Sequence, residues 1–159
     1  MKKSYPALLL SIVFTLAVGL AAGSVSRPDA WYYDLAKPVW TPPDWIFAPV
    51  WIILYTLMGV SLWLVWQRRA ERLAATAIGL YVIQLILNAV WSLIFFGCHN
   101  PGLAFAEICL LWIAILATMT VFWRIRRTAA WLFLPYFLWV TFAAALNFSI
   151  WRLNMSGFA

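Results

Sequence analysis

The sequence predicts an all-α membrane protein: a single bundle of five transmembrane helices with one long outer loop between the first two. Three observations carry that expectation. Of the 159 residues, 66% are hydrophobic and only 10% are charged, with a mean hydropathy of +0.90. So few charges cannot coat the surface of a water-soluble domain, and the surrounding medium must be lipid. Five apolar runs are long enough to cross a hydrocarbon core, which takes about 20 helical residues at about 1.5 Å each. Finally, no stretch alternates with period two, as a barrel strand must, so the backbone groups inside lipid have to be satisfied within helices.

Residues 1–159 read as one domain with spans at 5–26, 44–67, 73–97, 101–123 and 129–151. The first follows Met1-Lys2-Lys3 and ends near Gly23-Ser24, an outline shared with a secretory leader. Its apolar stretch exceeds the about 7–15 residues usual in a leader, and Gly19-x-x-x-Gly23 is a close-packing pattern for membrane helices. Both features favour a retained helix over a cleaved one.

The second span opens from a rigid stretch, Lys37-Pro38-Val39-Trp40-Thr41-Pro42-Pro43-Asp44-Trp45. Pro38, Pro42 and Pro43 fix φ and remove backbone donors, which forbids regular structure until Pro43 is passed. Thr41 is placed to cap the helix, Pro42 suits its first position, and Asp44 completes a Thr-x-x-Asp pattern. The loop at 27–43 is the only long connection; the others are a few residues each, as in an antiparallel bundle. Pro135 falls inside the fifth span and is expected to bend it.

Charge sets the expected orientation. Lys2, Lys3, Arg68, Arg69, Arg72, Arg124, Arg126 and Arg127 share one side, against Arg27, Lys37 and Arg152 on the other, where Asp29, Asp34 and Asp44 dilute them. The positive-inside rule then places the N-terminus in the cytoplasm, and the C-terminus and the 27–43 loop in the periplasm of a bacterial inner membrane. The net charge of +6 is thus a topology signal, not a nucleic-acid-binding face. Cys98 and Cys109 lack metal-ligand spacing, and His99 reads as a solvated loop residue without a partner, so no metal site is expected. Neither a phosphate-binding loop nor a nucleophile–base pair is present, and conventional catalysis has no carriers.

Twelve tryptophans exceed what interfacial belts require. Trp31, Trp40, Trp45 and Trp151 suit the outer interface, and Trp66, Trp123 and Trp131 the inner one. Trp51, Trp63, Trp91, Trp112 and Trp139 lie within spans, where an indole N–H wants a partner that lipid does not supply. Polar residues follow helical spacing beside them. Gln84, Asn88 and Ser92 form a stripe on the third span, Trp51 and Tyr55 lie one turn apart on the second, and Trp139, Ala143 and Asn147 line the fifth with Leu146 alongside. Glu107 sits about one and a half turns into the fourth. Most of these occupy the outer half of their helices, below the proline-tryptophan loop. They predict a pocket of flat π-faces with a few polar anchors, suited to a large planar apolar ligand.

Several motifs together resemble the translocator protein family, whose bacterial members are the tryptophan-rich sensory proteins and whose animal members are the peripheral benzodiazepine receptors. They are Trp31-Tyr32, Lys37-Pro38-x-Trp40-x-Pro42-Pro43, Pro49-x-Trp51, Asn88-x-x-Trp91, Phe95-Phe96-Gly97, Pro135-Tyr136-x-x-Trp139 and Leu146-Asn147-Phe148. The resemblance implies a five-helix bundle, usually dimeric, that binds porphyrins such as protoporphyrin IX, sterols, and benzodiazepine-type drugs, with no cofactor required. Carried over by motif, the ligand-binding set is Tyr32, Pro42, Trp51, Tyr55, Asn88, Trp91, Ser92, Glu107, Trp139, Ala143, Leu146 and Asn147. Relatives suggest transport or sensing of porphyrin; light-driven oxidative breakdown, which would make Trp51 and Trp139 the reacting residues, and a regulatory interaction module are the alternatives. The family's sterol motif is incomplete: Leu146 and Arg152 are present, but Phe148 replaces the tyrosine, which places sterol below porphyrin. For a homodimer, Ala75-x-x-x-Gly79 on the third span and Gly19-x-x-x-Gly23 on the first offer small-residue faces.

Overall fold

A computed structural model describes residues 4–25 and 27–155. Five long apolar helices form the bundle: α1 (Tyr5–Val25), α3 (Phe47–Trp66), α4 (Ala74–Ser92), α5 (Pro101–Ile125) and α6 (Arg127–Leu153). A short helix, α2 (Ala30–Asp34), interrupts the loop after α1, and a 3-10 turn (Asp44–Ile46) leads into α3. The end of α4 widens into a π-helical turn, Leu93–Gly97. There are no strands among the described residues.

Adjacent packing closes the helices into a ring ordered α1, α3, α6, α5, α4, with α4 returning to α1. Close approach between α1 and α3 depends on glycine. A Cβ at Gly59 would lie 2.6 Å from the Ile12 Cα, and one at Gly19 would run into the Tyr55 ring. Gly19 therefore serves packing within the chain. Gly79 faces open space, and Ala75 is exposed on the same α4 face.

Local chemistry explains the helix ends. Asn100 accepts a hydrogen bond from the Leu103 N–H at 2.9 Å, and Pro101 fills the first position of α5. Arg126, in extended conformation, is the one residue between α5 and α6, and its guanidinium donates to Gln67 Oε1 at 3.1 Å beyond the end of α3. Helix α6 continues through Pro135 without breaking. The start of α3 differs from the capping pattern the sequence offers. Thr41 donates its hydroxyl to the Pro38 carbonyl at 2.7 Å, closing a turn inside the loop, and Asp44 begins the 3-10 turn with no side-chain cap. With two prolines between Thr41 and the helix, the local turn wins the hydroxyl.

The half of the bundle remote from the loop is a closed aromatic core. Tyr81 and Phe122 stack with their planes 4° apart, and Phe133 meets both edge-on. Two of its hydroxyls are paired across helices. The Thr15 hydroxyl bonds the Tyr81 hydroxyl at 2.7 Å, joining α1 to α4, and Ser61 donates to the Ala129 carbonyl at 2.8 Å, joining α3 to α6.

Candidate functional site

The loop is pinned over one end of the bundle. Asp29 caps α2 by accepting from the Tyr32 N–H at 3.3 Å, and its other carboxylate oxygen lies 3.0 Å from His99 Nε2. The His99 ring also stacks on Trp31 at 4.3 Å. His99 adopts φ 52°, a left-handed conformation that presents its ring to α2 across the α4–α5 turn. This corrects the expectation of a partnerless solvated histidine. Spacing gave no hint of it, because Asp29 is 70 residues away. A second tether comes from Asn154, whose amide accepts from Ala36 N–H at 3.0 Å and donates to Ala36 O at 2.9 Å.

Tyr32 hangs from α2 into the bundle. It is buried against Phe95 and Phe96, with Lys37 Nζ 4.5 Å from its ring centroid. Burial, followed by the nearby Asp44 carboxylate and Tyr33, pushes the Tyr32 phenol up from its ordinary pKa. It therefore stays a neutral hydroxyl. Trp31, assigned from sequence to the interfacial belt, also meets Phe95 edge-on and is half-buried under the loop.

Below the loop, amides and aromatic rings from separate helices converge. Trp51 stacks on Tyr55 at 5.2 Å, and the Tyr55 hydroxyl donates to Asn88 Oδ1 at 2.6 Å. Asn88 in turn donates to the Tyr136 hydroxyl at 3.2 Å, so one relay links α3, α4 and α6. A second relay runs beside it: Trp91 Nε1 donates to Asn147 Oδ1 at 3.0 Å, and Asn147 Nδ2 donates to the Pro101 carbonyl at 2.8 Å. Trp139 is tilted against Phe142 and meets Phe47 edge-on, with Trp40 of the loop against Phe142. Residue pattern alone did not single out Tyr136 as a site residue; its hydroxyl matters only because Asn88 reaches it.

The tryptophans within the spans divide into two groups. Trp63, Trp91 and Trp112 bond through their indole N–H to Ser4 O, Asn147 Oδ1 and Thr141 Oγ1. The half-buried Trp51 and Trp139 make no such bond among the described residues. Glu107 is stranger still: the residue is 7% exposed, and neither of its enclosed carboxyl oxygens has a hydrogen-bond partner.

The remaining sequence-chosen residues fall in two places. Leu146 is buried beside Tyr32, Phe95 and Ala104, Ala143 packs on the core, and Pro42 and Ser92 are half-buried. Phe148 and Arg152 instead lie on the outside of α6, so the incomplete sterol motif is split between the inside and the lipid face. Phe148 contributes to an open apolar groove of about 460 Å³ between α5 and α6, whose floor includes Ala144 and Ala145 and whose walls include Phe105 and Trp112. None of the residues expected to hold a porphyrin lines that groove.

Comparison with known proteins agrees with the family that the sequence resembles. The TspO/MBR family model matches residues 11–152. The chain is 43% identical to the tryptophan-rich protein TspO of Chlorobaculum tepidum, covering 97% of this chain and 99% of that one. It is 41% identical to protein CrtK of Rhodobacter capsulatus over 84% of each chain. It is also 40% identical to the human translocator protein, over 89% of this chain and 88% of the relative. A match of that extent, on a chain with five helices long and apolar enough to cross a membrane, means that the protein belongs to the TspO/MBR family.

Proposed function

We propose that this integral membrane protein binds porphyrins, protoporphyrin IX foremost, in the layer between the 27–43 loop and Asn88, and transports or senses them there. The observation that carries the reading is the division among the tryptophans. Three of the five within the spans have satisfied N–H groups, whereas Trp51 and Trp139 keep theirs free beside stacked and edge-on aromatic rings. Indoles in a membrane interior ordinarily find a partner, so two that have none are available to a ligand acceptor, with π-faces beside them for a flat macrocycle.

Sterols take second place, since Phe148 lacks the hydroxyl of the motif and lies on the lipid face with Arg152. The orientation that fits the charge asymmetry has the N-terminus in the cytoplasm of a bacterial cell and the loop in the periplasm. A homodimer would use the exposed Ala75 and Gly79 face of α4, because Gly19 is already occupied by Tyr55.

The test is titration of the detergent-solubilised protein with protoporphyrin IX in the dark, followed by tryptophan emission. Saturable quenching is expected, weakened at least tenfold in Trp51→Ala plus Trp139→Ala. An unchanged affinity in that double variant would remove the site from this layer.

A further inference from the structure

We propose that the end of the bundle remote from the loop holds the headgroup phosphate of an anionic phospholipid, at a corner where Arg126 and Arg127 present two fixed guanidinium groups.

The corner lies where membrane spans end. The second span stops at Trp66, the fourth at Ile125, and the fifth begins at Arg127. Trp66, Trp123 and Trp131 stand exposed around it, as tryptophans do at headgroup depth. Arg126 alone joins α5 to α6, and its half-buried guanidinium donates to Gln67 Oε1 at 3.1 Å. That bond holds the cation against the end of α3. The Arg127 guanidinium lies 5.4 Å from the Trp123 ring centroid, and Trp123 meets Trp131 edge-on. Two adjacent cations are thus held in place, one by an amide and one by an indole.

The groups gathered here donate or are positive. Gln67 Nε2, on the amide that receives Arg126, is enclosed and has no acceptor; the other enclosed side-chain atoms without partners, on Gln84 and Glu107, are all acceptors. Helix α6 starts with no side-chain cap and no acidic residue in its first turn, so the positive end of its dipole adds to the guanidiniums. The one acid in the neighbouring connection, Glu71, is taken by Arg68 at 3.0 Å. Charge asymmetry across the membrane explains arginines at this end of the chain but not their positions. Arg124, in the last turn of α5, sits where a helix dipole favours a cation; Arg127, in the first turn of α6, sits where it does not. An anion bridging the two guanidiniums removes that conflict.

A phosphate diester suits them, because guanidinium groups bind phosphate oxygens in pairs. The surface beside the corner fits the rest of a lipid. Trp123 and Leu116 on α5, and Trp131 and Leu138 on α6, are exposed and two turns apart on each helix. Contact between the two tryptophans joins these stripes, so an apolar path leads from the guanidiniums towards the hydrocarbon. Net negative charge is part of the fit: a choline headgroup would bring its own cation to this corner, and a glycerol headgroup would not.

The experiment titrates the full chain in dodecyl maltoside with phosphatidylglycerol or phosphatidylcholine and counts bound lipid by native mass spectrometry. The wild-type protein is expected to hold phosphatidylglycerol at least fivefold more tightly than phosphatidylcholine. Arg126→Gln plus Arg127→Gln is expected to bring the two lipids within twofold of each other. Arg68→Gln plus Arg72→Gln, which removes the same charge from the other connection, is expected to leave the preference intact. Arg127→Gln alone breaks no hydrogen bond of the fold and is expected to lose at least half of the preference, which keeps the test open if the double variant does not fold. Equal loss in the two double variants would overturn the proposal, since a diffuse positive surface would then account for binding. So would a wild-type protein with no preference. Displacement of phosphatidylglycerol by an excess of inorganic phosphate, at constant ionic strength, would assign the corner to a free anion and overturn the lipid.

Discussion

The two halves of the bundle, the one under the loop and the one remote from it, are built from the same residue types and differ in how completely those residues are used up. In the remote half Tyr81, Phe122 and Phe133 stack tightly, and the Thr15 and Ser61 hydroxyls find partners on neighbouring helices. Under the loop the amides are bonded to one another, yet two indole donors and the Glu107 carboxyl are left over. Membrane helices gain little by burying apolar surface against each other, since lipid is as apolar as leucine; close packing and interhelical hydrogen bonds hold them. The carboxyl and two indoles left unpaired under the loop therefore serve something other than stability, whereas the closed half, where Gln67 Nε2 at the rim is also without a partner, holds the bundle together through its stacked rings and cross-helix hydroxyls.

Truncation in the closed half is the largest test of that contrast. Phe133 is 0% exposed and meets Phe122 at 5.4 Å, Tyr81 at 5.9 Å and Tyr136 at 5.8 Å. Phe133→Ala is expected to cost about 3–5 kcal/mol through lost contacts and the cavity left behind. Thermal or denaturant unfolding in detergent measures it, and porphyrin affinity per folded molecule should change little. A loss of binding out of proportion to folding would mean that the closed half takes part in the site.

Sequence made the bundle legible and the connections between its parts much less so. Five apolar runs and their prolines told where helices lie, because lipid allows few alternatives to a helix. Helical spacing placed Asn88 with Ser92, and Trp139 with Ala143 and Asn147, on shared faces. It did not reveal which partner each amide would choose. Asn88 reaches Tyr136 across 48 positions, and Trp91 reaches Asn147 across 56. The Thr41 misreading is of the same kind: a pattern compatible with a cap lost to a closer carbonyl. The contact between His99 and Asp29 needed the left-handed backbone at His99, and nothing in the residue order announces that.

Within the loop half, Asn147→Leu sharpens the comparison at intermediate size. The change keeps the volume but removes the acceptor for Trp91 Nε1 and the donor to the Pro101 carbonyl, at a residue only 1% exposed. Interhelical hydrogen bonds in membranes contribute less than the same bonds would in a dry interior, so a loss of about 1–2 kcal/mol is expected. Porphyrin affinity should fall with it, because Trp91 loses the bond that orients its ring. A variant as destabilised as Phe133→Ala would show that the amide relay, and not the aromatic core, carries the fold.

The smallest effect belongs to the loop's tethers. His99→Ala removes the bond to Asp29 and the stack on Trp31, both exposed or half-buried, and Asn154→Ala removes the paired bonds to Ala36. Surface changes of this kind shift global stability by about 0.5 kcal/mol or less. Local opening is another matter, because the affected bonds hold a short helix rather than the bundle. Amide exchange at residues 31–37 is expected to quicken about five- to tenfold in either variant, while exchange in α5 and α6 stays as it was. His99→Gly separates the two contributions of the histidine. Glycine accepts φ 52° without strain, so it should speed loop exchange as alanine does yet unfold at the same temperature as wild type or higher. If neither histidine variant alters exchange in the loop, then Tyr32, wedged against Phe95 and Phe96, holds the lid, and the loop opens only when that ring leaves the bundle.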